Sequence, residues 1–262
     1  MRRVLIVLLV VAGLLVGADF GAAALAESAV ARQMREQVGL VDDPSVRING
    51  FPFLTQAISG HYGSVDVDAQ HITVGKLTDV DVTVQLRDVD APLSMLLGSG
   101  QKTLQVGEAE GTVAISAKDL QKLTPGIDDL RVDTLDAQAL KDAVADGSDP
   151  SVAELDPEKS ARLVGTVSLL GIKTEVSVIA SLELVDGIAK IVPRDVQVGG
   201  TKLPLSGTDE RKLLKQFALD VNPGTLPFKV DPTGLKAVDN TLEVSGTAEN
   251  LTLGGSQPVT AG

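Results

Sequence analysis

The sequence predicts an α+β protein in which two strand-rich halves each accompany one amphipathic helix. Long stretches alternate apolar with polar residues, a pattern typical of strands with one buried and one solvated face. Residues 19–40 and 208–219 instead repeat their apolar residues at spacings of three and four, which indicates helices. The chain has 262 residues, of which 44% are hydrophobic, so it is long and apolar enough to bury a large core.

The chain begins with a short apolar segment that predicts export. Arg2 and Arg3 are the only charged residues before Asp19, and residues 4–18 are an uncharged, mostly apolar run. A helix of that length reaches roughly 22 Å, which is less than the ~30 Å hydrocarbon core of a bilayer. Residues 1–18 therefore predict a signal peptide, with cleavage after Ala26, or alternatively an uncleaved membrane anchor. Either interpretation places residues 19–262 outside the cytoplasmic membrane, in the periplasm or cell envelope.

Residues 19–40 predict the first amphipathic helix. Val30 and Met34 belong to its apolar face, and the charged residues fall largely on the other side. Asp19 is the expected N-cap and Gly39 the expected stop. The small alanine-rich face of this helix would leave room between the helix and a sheet.

Residues 45–120 predict antiparallel strands. Between residues 79 and 87, aliphatic residues occupy the even positions and polar residues the odd positions, and residues 65–70 alternate in the same way. Six aspartates lie within or just after these two stretches: Asp66, Asp68, Asp79, Asp81, Asp88 and Asp90. We interpret them as a solvated sheet face, because no calcium-binding loop pattern accompanies them.

An acidic segment follows and separates the two strand-rich halves, residues 19–124 and 161–262. Residues 125–160 contain ten acidic and three basic residues and are predicted to form a connector, with one short helix near residues 136–145. The second half contains the predicted helix 208–219, with Leu213, Leu214 and Phe217 on its apolar side. Asp186-Gly187 and Asp239-Asn240 predict tight turns between strands.

The composition excludes several classes of function. The chain carries a formal charge of −12 and shows no basic stripe, so it is not expected to bind nucleic acid. It has no cysteine, which removes disulfides, thiolate metal sites and cysteine nucleophiles together.

The two histidines predict no catalytic or metal site. His61 and His71 are ten residues apart and match no metal-binding spacing, and the chain has no GxSxG nucleophile motif. We therefore predict that the protein is not an enzyme and holds no metal or cofactor, with structural or surface roles for both histidines.

Residues 50–56, Gly-Phe-Pro-Phe-Leu-Thr-Gln, hold two of the five phenylalanines of a chain with one tyrosine and no tryptophan. Gly50 lets the backbone turn, and Pro52 fixes its own φ and biases Phe51 toward an extended conformation. Phe51 and Phe53 are thereby held rigidly at a turn. Two interpretations are open: a core plug that closes one end of a sheet, which geometry alone favours, or an apolar lip at a cavity mouth.

The same block carries a family resemblance. Residues 50–56, followed by Gly60, Tyr62 and Val65, resemble the signature of the LmeA-like phospholipid-binding family of actinobacterial cell envelopes. An apolar N-terminal segment followed by Asp19 and an alanine-rich helix fits the same pattern.

The resemblance extends over nearly the whole chain, since residues 226–228, Leu-Pro-Phe, also fit the pattern before a terminal pair of strands. Phe20 stands where many members of the family have arginine. The resemblance implies a fold similar to tubular lipid-binding proteins, in which a curved antiparallel sheet wraps a long helix. It also implies phospholipid binding outside the cytoplasmic membrane.

With this resemblance, the sequence predicts an exported phospholipid-binding protein of the cell envelope. It would hold acyl chains in an apolar cavity and support lipid transfer or envelope glycolipid maintenance, with phospholipid and the membrane surface as partners. Burial contributes about 0.8 kcal/mol per CH₂ group, so binding requires no charged clamp. The alternatives are a structural or protein-interaction β-domain with a filled core and, more weakly, an exported hydrolase. The predicted lipid-binding residues are Phe51, Phe53, Leu54, Ile58, Val30, Met34 and Phe228.

Overall fold

The computed structural model describes residues 2–92, 94, 103–169, 171–185, 188–199, 207–221 and 231–253. These residues form a long N-terminal helix, eleven strands and further helices, one of them in the C-terminal half, so the predicted α+β class is confirmed. The helices are α1 (Arg2–Val38), α2 (Phe53–Ser59), α3 (Ala117–Gln121), α4 (Ala137–Ala145) and α5 (Gly207–Phe217).

The strands form two sheets. The first has the order β1-β2-β3-β4-β11-β10, and the second has the order β5-β6-β7-β8-β9. Neighbouring strands pair antiparallel, as between β1 and β2 and between successive strands from β5 to β9. The strands are β1 (Ser45–Asn49), β2 (His61–Val74), β3 (Leu77–Asp90), β4 (Leu104–Ser116), β5 (Ile127–Thr134), β6 (Ser160–Leu169), β7 (Ile172–Val185), β8 (Ile188–Val198), β9 (Leu219–Val221), β10 (Asp231–Val238) and β11 (Thr241–Leu253).

The chain divides into two compact units. The first comprises Met1–His71, Val82–Gly111 and Thr247–Gly262, and the second comprises Ile72–Asp81 and Thr112–Gly246. In the first unit, α1 packs on β1 and α2. The core at that contact consists of Ala31, Val46 and Val67, with Val30, Met34 and Val65 packed against it.

Helix α1 begins earlier than the sequence predicts and runs without a break from Arg2 to Val38. The prediction that Asp19 is its N-cap is therefore wrong: Asp19 lies in mid-helix, where the alanine- and leucine-rich sequence favours continuation. The predicted stop is confirmed, because Gly39 adopts φ +75° and its N–H donates to the Arg35 carbonyl over 2.8 Å. Among the described residues, α1 is the one helix long and apolar enough to cross a membrane.

The predicted alternation of buried and exposed residues is confirmed in β2 and β3. Val67 and Ala69 are buried while Asp68 and Gln70 are exposed, and Val80 is buried between exposed aspartates. Asp66 is half-buried because its carboxylate accepts hydrogen bonds from the side chains of Asn49 and Gln85.

The acidic segment 125–160 contributes β5, α4 and two short 3₁₀ turns to the second unit. The predicted helix near residues 136–145 is confirmed as α4, which the Asp136 side chain caps by accepting from the Ala139 N–H. Its Leu140 and Ala143 pack on Ile179 of β7, which is 3% exposed. Ile179 breaks the alternation of β7 because α4 covers that face of the sheet.

The second predicted amphipathic helix is confirmed as α5, which packs on β8. Its apolar face buries Leu213 and Phe217, and Phe217 is fully inaccessible. Residues 186 and 187 lie outside the described part of the chain, but Val185 pairs with Ile188, as a two-residue hairpin requires. Asp239 and Asn240 adopt φ +46° and +64°, which confirms the second predicted turn.

Asp119 in α3 is a fully buried acid of the second unit. Its Oδ2 accepts from the N–H groups of Thr78 and Asp79, each over 2.7 Å, and its Oδ1 accepts from the Lys122 ammonium. Burial by itself raises the pKa of this carboxyl, but the lysine and the two N–H groups outweigh it, so the pKa lies below its ordinary value.

We expect Asp119→Asn to lower the free energy of unfolding by about 1–3 kcal/mol near neutral pH, because one strong acceptor and one ion pair are lost. The lowered pKa means that the carboxylate stabilises the fold above the unfolded pKa, near 4, and loses this effect as pH falls through the folded pKa. The difference between wild type and variant should therefore shrink below about pH 4 in urea unfolding. A constant difference between pH 7 and pH 3 would contradict the assignment.

Candidate functional site

Helix α2 is attached to α1 by one buried carboxylate. Asp19 is 4% exposed, and its two oxygens accept from the N–H groups of Phe53 and Leu54, each over 2.8 Å. These are the first two residues of α2, whose N-cap Pro52 provides no side-chain cap. Asp19 is therefore a capping residue, as its residue type suggests, but for a helix that begins 34 residues later.

Gly50 and Gln56 complete the turn that presents α2. Gly50 adopts φ +107°, which favours glycine, and a Cβ there would lie 2.8 Å from the Gln56 Nε2 atom and would displace that side chain. The Gln56 amide donates to the Asn49 carbonyl and accepts from the Gly63 N–H, each over 3.3 Å. This side chain thus links the end of β1 to the beginning of β2.

The two phenylalanines of the block have different environments. Phe53 is 4% exposed and packs against Tyr62, with ring centroids 6.3 Å apart. Phe51 is 60% exposed and stacks on Phe20 of α1, with centroids 5.9 Å apart and an interplanar angle of 24°. The interpretation as a core plug therefore applies to Phe53, whereas Phe51 is an aromatic residue on the surface. Burial also raises the pKa of the Tyr62 hydroxyl, which therefore stays protonated.

A cleft of about 540 Å³ opens beside the Phe20–Phe51 pair, a size within the range of small-molecule sites. It lies between α1, the edge strand β1 and the turn before α2. Its lining residues are Asp19, Phe20, Ala23, Ala24, Glu27, Arg47, Ile48, Asn49, Gly50, Phe51 and Phe53.

The polar side chains of the cleft differ in whether they already make hydrogen bonds within the protein. Glu27 accepts from the Ile48 N–H over 2.8 Å and so satisfies a donor of the edge strand, while both Asp19 oxygens are bound to α2. Asn49 donates to Asp66 over 2.8 Å. Arg47 is exposed, and no described residue accepts a hydrogen bond from its guanidinium. Among the described residues that line the cleft, Arg47 is the one with a cationic side chain.

The predicted site residues fall into three groups. Phe51 and Phe53 line the cleft. Leu54 and Ile58 are 41% and 84% exposed on α2 and are not among the lining residues, while Val30 and Met34 pack on the helix–sheet core. Phe228 lies outside the described residues.

Most of the cleft lining was not among the residues predicted to bind lipid, including Phe20, Ala23, Glu27 and Arg47. Phe20, Ala23 and Glu27 follow one another at spacings of three and four, so the helical period places them on one face of the predicted helix 19–40. Arg47 alternates with buried Val46 and Ile48 in β1, and this pattern could have identified it as the exposed cation of an edge strand.

The histidines are paired on the surface of the first unit. His61 Nδ1 lies 2.8 Å from Asp90 Oδ1, and His71 Nδ1 lies 3.1 Å from Asp42 Oδ2. No hydroxyl group in the described part of the chain bonds to the His61 ring. The described residues contain no group of three or more acidic or histidine side chains that could hold a metal ion.

The profile of the LmeA-like phospholipid-binding family matches residues 17–247, a range that includes Asp19, residues 50–56 and the whole cleft. A comparison with curated proteins found no match, and neither did a comparison with solved structures. The predicted resemblance is confirmed by a match over most of the chain, and the chain belongs to the LmeA-like phospholipid-binding family.

Proposed function

We propose that this protein is an exported cell-envelope protein that holds a phospholipid at the cleft between α1 and β1, within a single lipid-binding domain of residues 19–262. Membership of a phospholipid-binding family supports the ligand class. The observation that carries the choice of site is the combination in one cleft of an exposed aromatic pair, an alanine wall and one unpaired guanidinium.

The acyl chains lie against the apolar side of the cleft. Ala23 and Ala24 have small side chains, which leave space beside the α1 backbone, and Phe20 and Phe51 extend this surface outward. Each CH₂ group removed from water contributes about 0.8 kcal/mol, so a few groups in contact with this surface suffice for affinity. Val30 and Met34 pack on the core between α1 and the sheet, and Leu54 and Ile58 are exposed on α2, so none of the four is assigned to the cleft.

The lipid phosphate binds Arg47. A guanidinium pairs with phosphate through two parallel N–H···O bonds, and such charge-assisted bonds are stronger than neutral ones. The carboxylates of Asp19 and Glu27 accept backbone N–H groups and so do not compete for this guanidinium. Many family members carry arginine at the position of Phe20. In this chain Arg47, which lines the same cleft as Phe20, supplies the cation instead.

Export follows from the arrangement of charges around α1. Arg2 and Arg3 precede the apolar run and stay on the cytoplasmic side, so the body of the protein lies on the other side of the membrane. The role there is lipid transfer or maintenance of envelope glycolipids. His61 and His71 pair with Asp90 and Asp42 on the surface and are not among the described lining residues of the cleft, so we assign them no hydrolytic role.

We expect Arg47→Gln to weaken binding of a phospholipid about ten- to a hundredfold, since one charge-assisted contact is worth about 1.5–3 kcal/mol. Arg32→Gln is the matched control, because Arg32 is also exposed on the first unit and lacks a described partner. The measurement is binding of a fluorescent phospholipid beside the corresponding diacylglycerol, which has the same acyl chains without phosphate. Wild type should prefer the phospholipid, and Arg47→Gln should lose the preference while still binding diacylglycerol. Equal effects of the two arginine substitutions would reject the phosphate site.

A further inference from the structure

We propose that α1 is retained in the mature protein as a transmembrane anchor, and that Phe20, Phe51, Leu54 and Ile58 form a face that sits in the outer interface of the same bilayer. We call these four residues the interface face. This inference goes beyond the lipid cleft, because Leu54 and Ile58 do not line it. The contacts of the N-terminal segment favour a retained anchor over a cleaved signal peptide.

The hydrogen bonds of Asp19 to α2 indicate that α1 is retained. Cleavage after Ala26 would remove the carboxylate that caps α2 and the Phe20 ring that stacks on Phe51. The N–H groups of Phe53 and Leu54 would then lose their acceptors, and the Phe53 N–H is buried. The family profile also begins at residue 17, on the N-terminal side of the cleavage position. The folded first unit thus includes part of the segment that a signal peptidase would discard.

The length of the apolar run places the bilayer surface beyond Asp19. Residues 4–18 span roughly 22 Å of a hydrocarbon core ~30 Å thick. About 20 helical residues counted from Val4 are needed, and they end at Ala23. Residues 20–26 are uncharged and continue the helix to Glu27. Phe20 therefore lies at the edge of the hydrocarbon, and the Asp19 carboxylate is shielded there by its two N–H donors.

The Asp19 contact brings α2 to the same depth. Residues 50–60 contain no charged residue in a chain of formal charge −12, so this segment can approach an anionic membrane surface without repulsion. Phe20 and Phe51 are 64% and 60% exposed, and Ile58 is 84% exposed. An exposed apolar face beside a membrane-crossing helix suits the headgroup boundary, where aromatic and aliphatic side chains insert. A lipid could then pass from the bilayer into the cleft without crossing water.

The test uses the full-length chain in vesicles of phosphatidylcholine and phosphatidylglycerol. The chain has no cysteine, so a fluorophore on a single introduced cysteine reports one position. We compare Ile58→Cys with Val38→Cys, another exposed aliphatic position, 65% exposed, which lies roughly 28 Å beyond Asp19 along α1. Val10→Cys serves as the reference for insertion, and the quencher is a phospholipid with a nitroxide on its acyl chain.

We expect strong quenching at positions 10 and 58 and little at position 38. If position 58 behaves like position 38 while position 10 is quenched, the interface face is not in the membrane. A blue-shifted but unquenched label at position 58 would mean that a second copy or another protein covers the face, which also overturns the proposal. The intact mass of the chain from native membranes should include residues before Ala26, and a mature chain that begins at Glu27 would exclude the anchor. These readouts do not depend on Arg47, so they can fail independently of the lipid-binding proposal.

Discussion

Phe53→Ala is expected to lower the free energy of unfolding by about 3–5 kcal/mol, because it leaves a cavity in the core beside Tyr62. Phe51→Ala should cost about 1 kcal/mol or less, since its ring is mostly exposed and loses only the stacking on Phe20. The measurement is urea unfolding of both variants under identical conditions.

Phe217→Ala is the control, because Phe217 is fully buried in α5 and should lose about as much stability as Phe53→Ala. Lipid binding should follow the opposite order. Phe51→Ala and Phe20→Ala remove cleft wall from a folded protein and should weaken binding at unchanged folded fraction. Phe53→Ala should weaken binding mainly through unfolding, because Phe53 is only 4% exposed and contributes little surface to the cleft that it lines. Two results together would contradict these assignments: equal stability losses at Phe51 and Phe53, and binding that follows the folded fraction in every variant. They would mean that Phe51 is not a surface residue and that the cleft does not bind the lipid.

Asp19→Ala is the second substitution with a large expected effect. It leaves the N–H groups of Phe53 and Leu54 without acceptors, at about 1–3 kcal/mol for each unsatisfied donor, so we expect a loss of about 2–5 kcal/mol. Amide hydrogen exchange should rise first in α2, because the helix loses its cap and its tether to α1 together. Asp19→Asn keeps one acceptor oxygen and should show an intermediate loss.

Asp136→Ala provides a matched comparison for the capping role. Asp136 caps α4 from the adjacent position, is exposed and accepts one N–H, so its replacement should cost about 0.5–2 kcal/mol. The larger loss at Asp19 would reflect burial and the second hydrogen bond. A loss at Asp19 no greater than at Asp136 would mean that α2 is held by its apolar contacts, and the argument for retaining α1 would then lose its main support.

Most of the regular structure follows from local sequence patterns. Alternation around Val80 predicts β3, apolar spacing around Phe217 predicts α5, and Gly39 marks the end of α1. Each depends on residues within a few positions of one another, where period and φ preference act directly. The burial of Ile179 in β7 does not follow from a local pattern, because it depends on α4, which the sequence alone does not place on that face.

The candidate site is less accessible to such arguments. The sequence of residues 50–56 predicts a rigid turn with two phenylalanines, and the structure contains that turn. Which ring is buried depends on Tyr62 for Phe53 and on Phe20 for Phe51, and both partners lie outside the block. Arg47 belongs to the site because α1 crosses the edge of β1, a contact between elements that no local pattern encodes.

The sequence by itself determined the α+β class, the family, the turn at Gly50 and the apolar N-terminal segment, because composition, periodicity and backbone preference are properties of neighbouring residues. Only the tertiary structure decided what Asp19 does. A capping aspartate is recognisable by type, but its partners are 34 and 35 residues away, on another helix. Burial and hydrogen-bond satisfaction are set by the groups that meet in space, so the tether between α1 and α2 emerges only when the chain is folded.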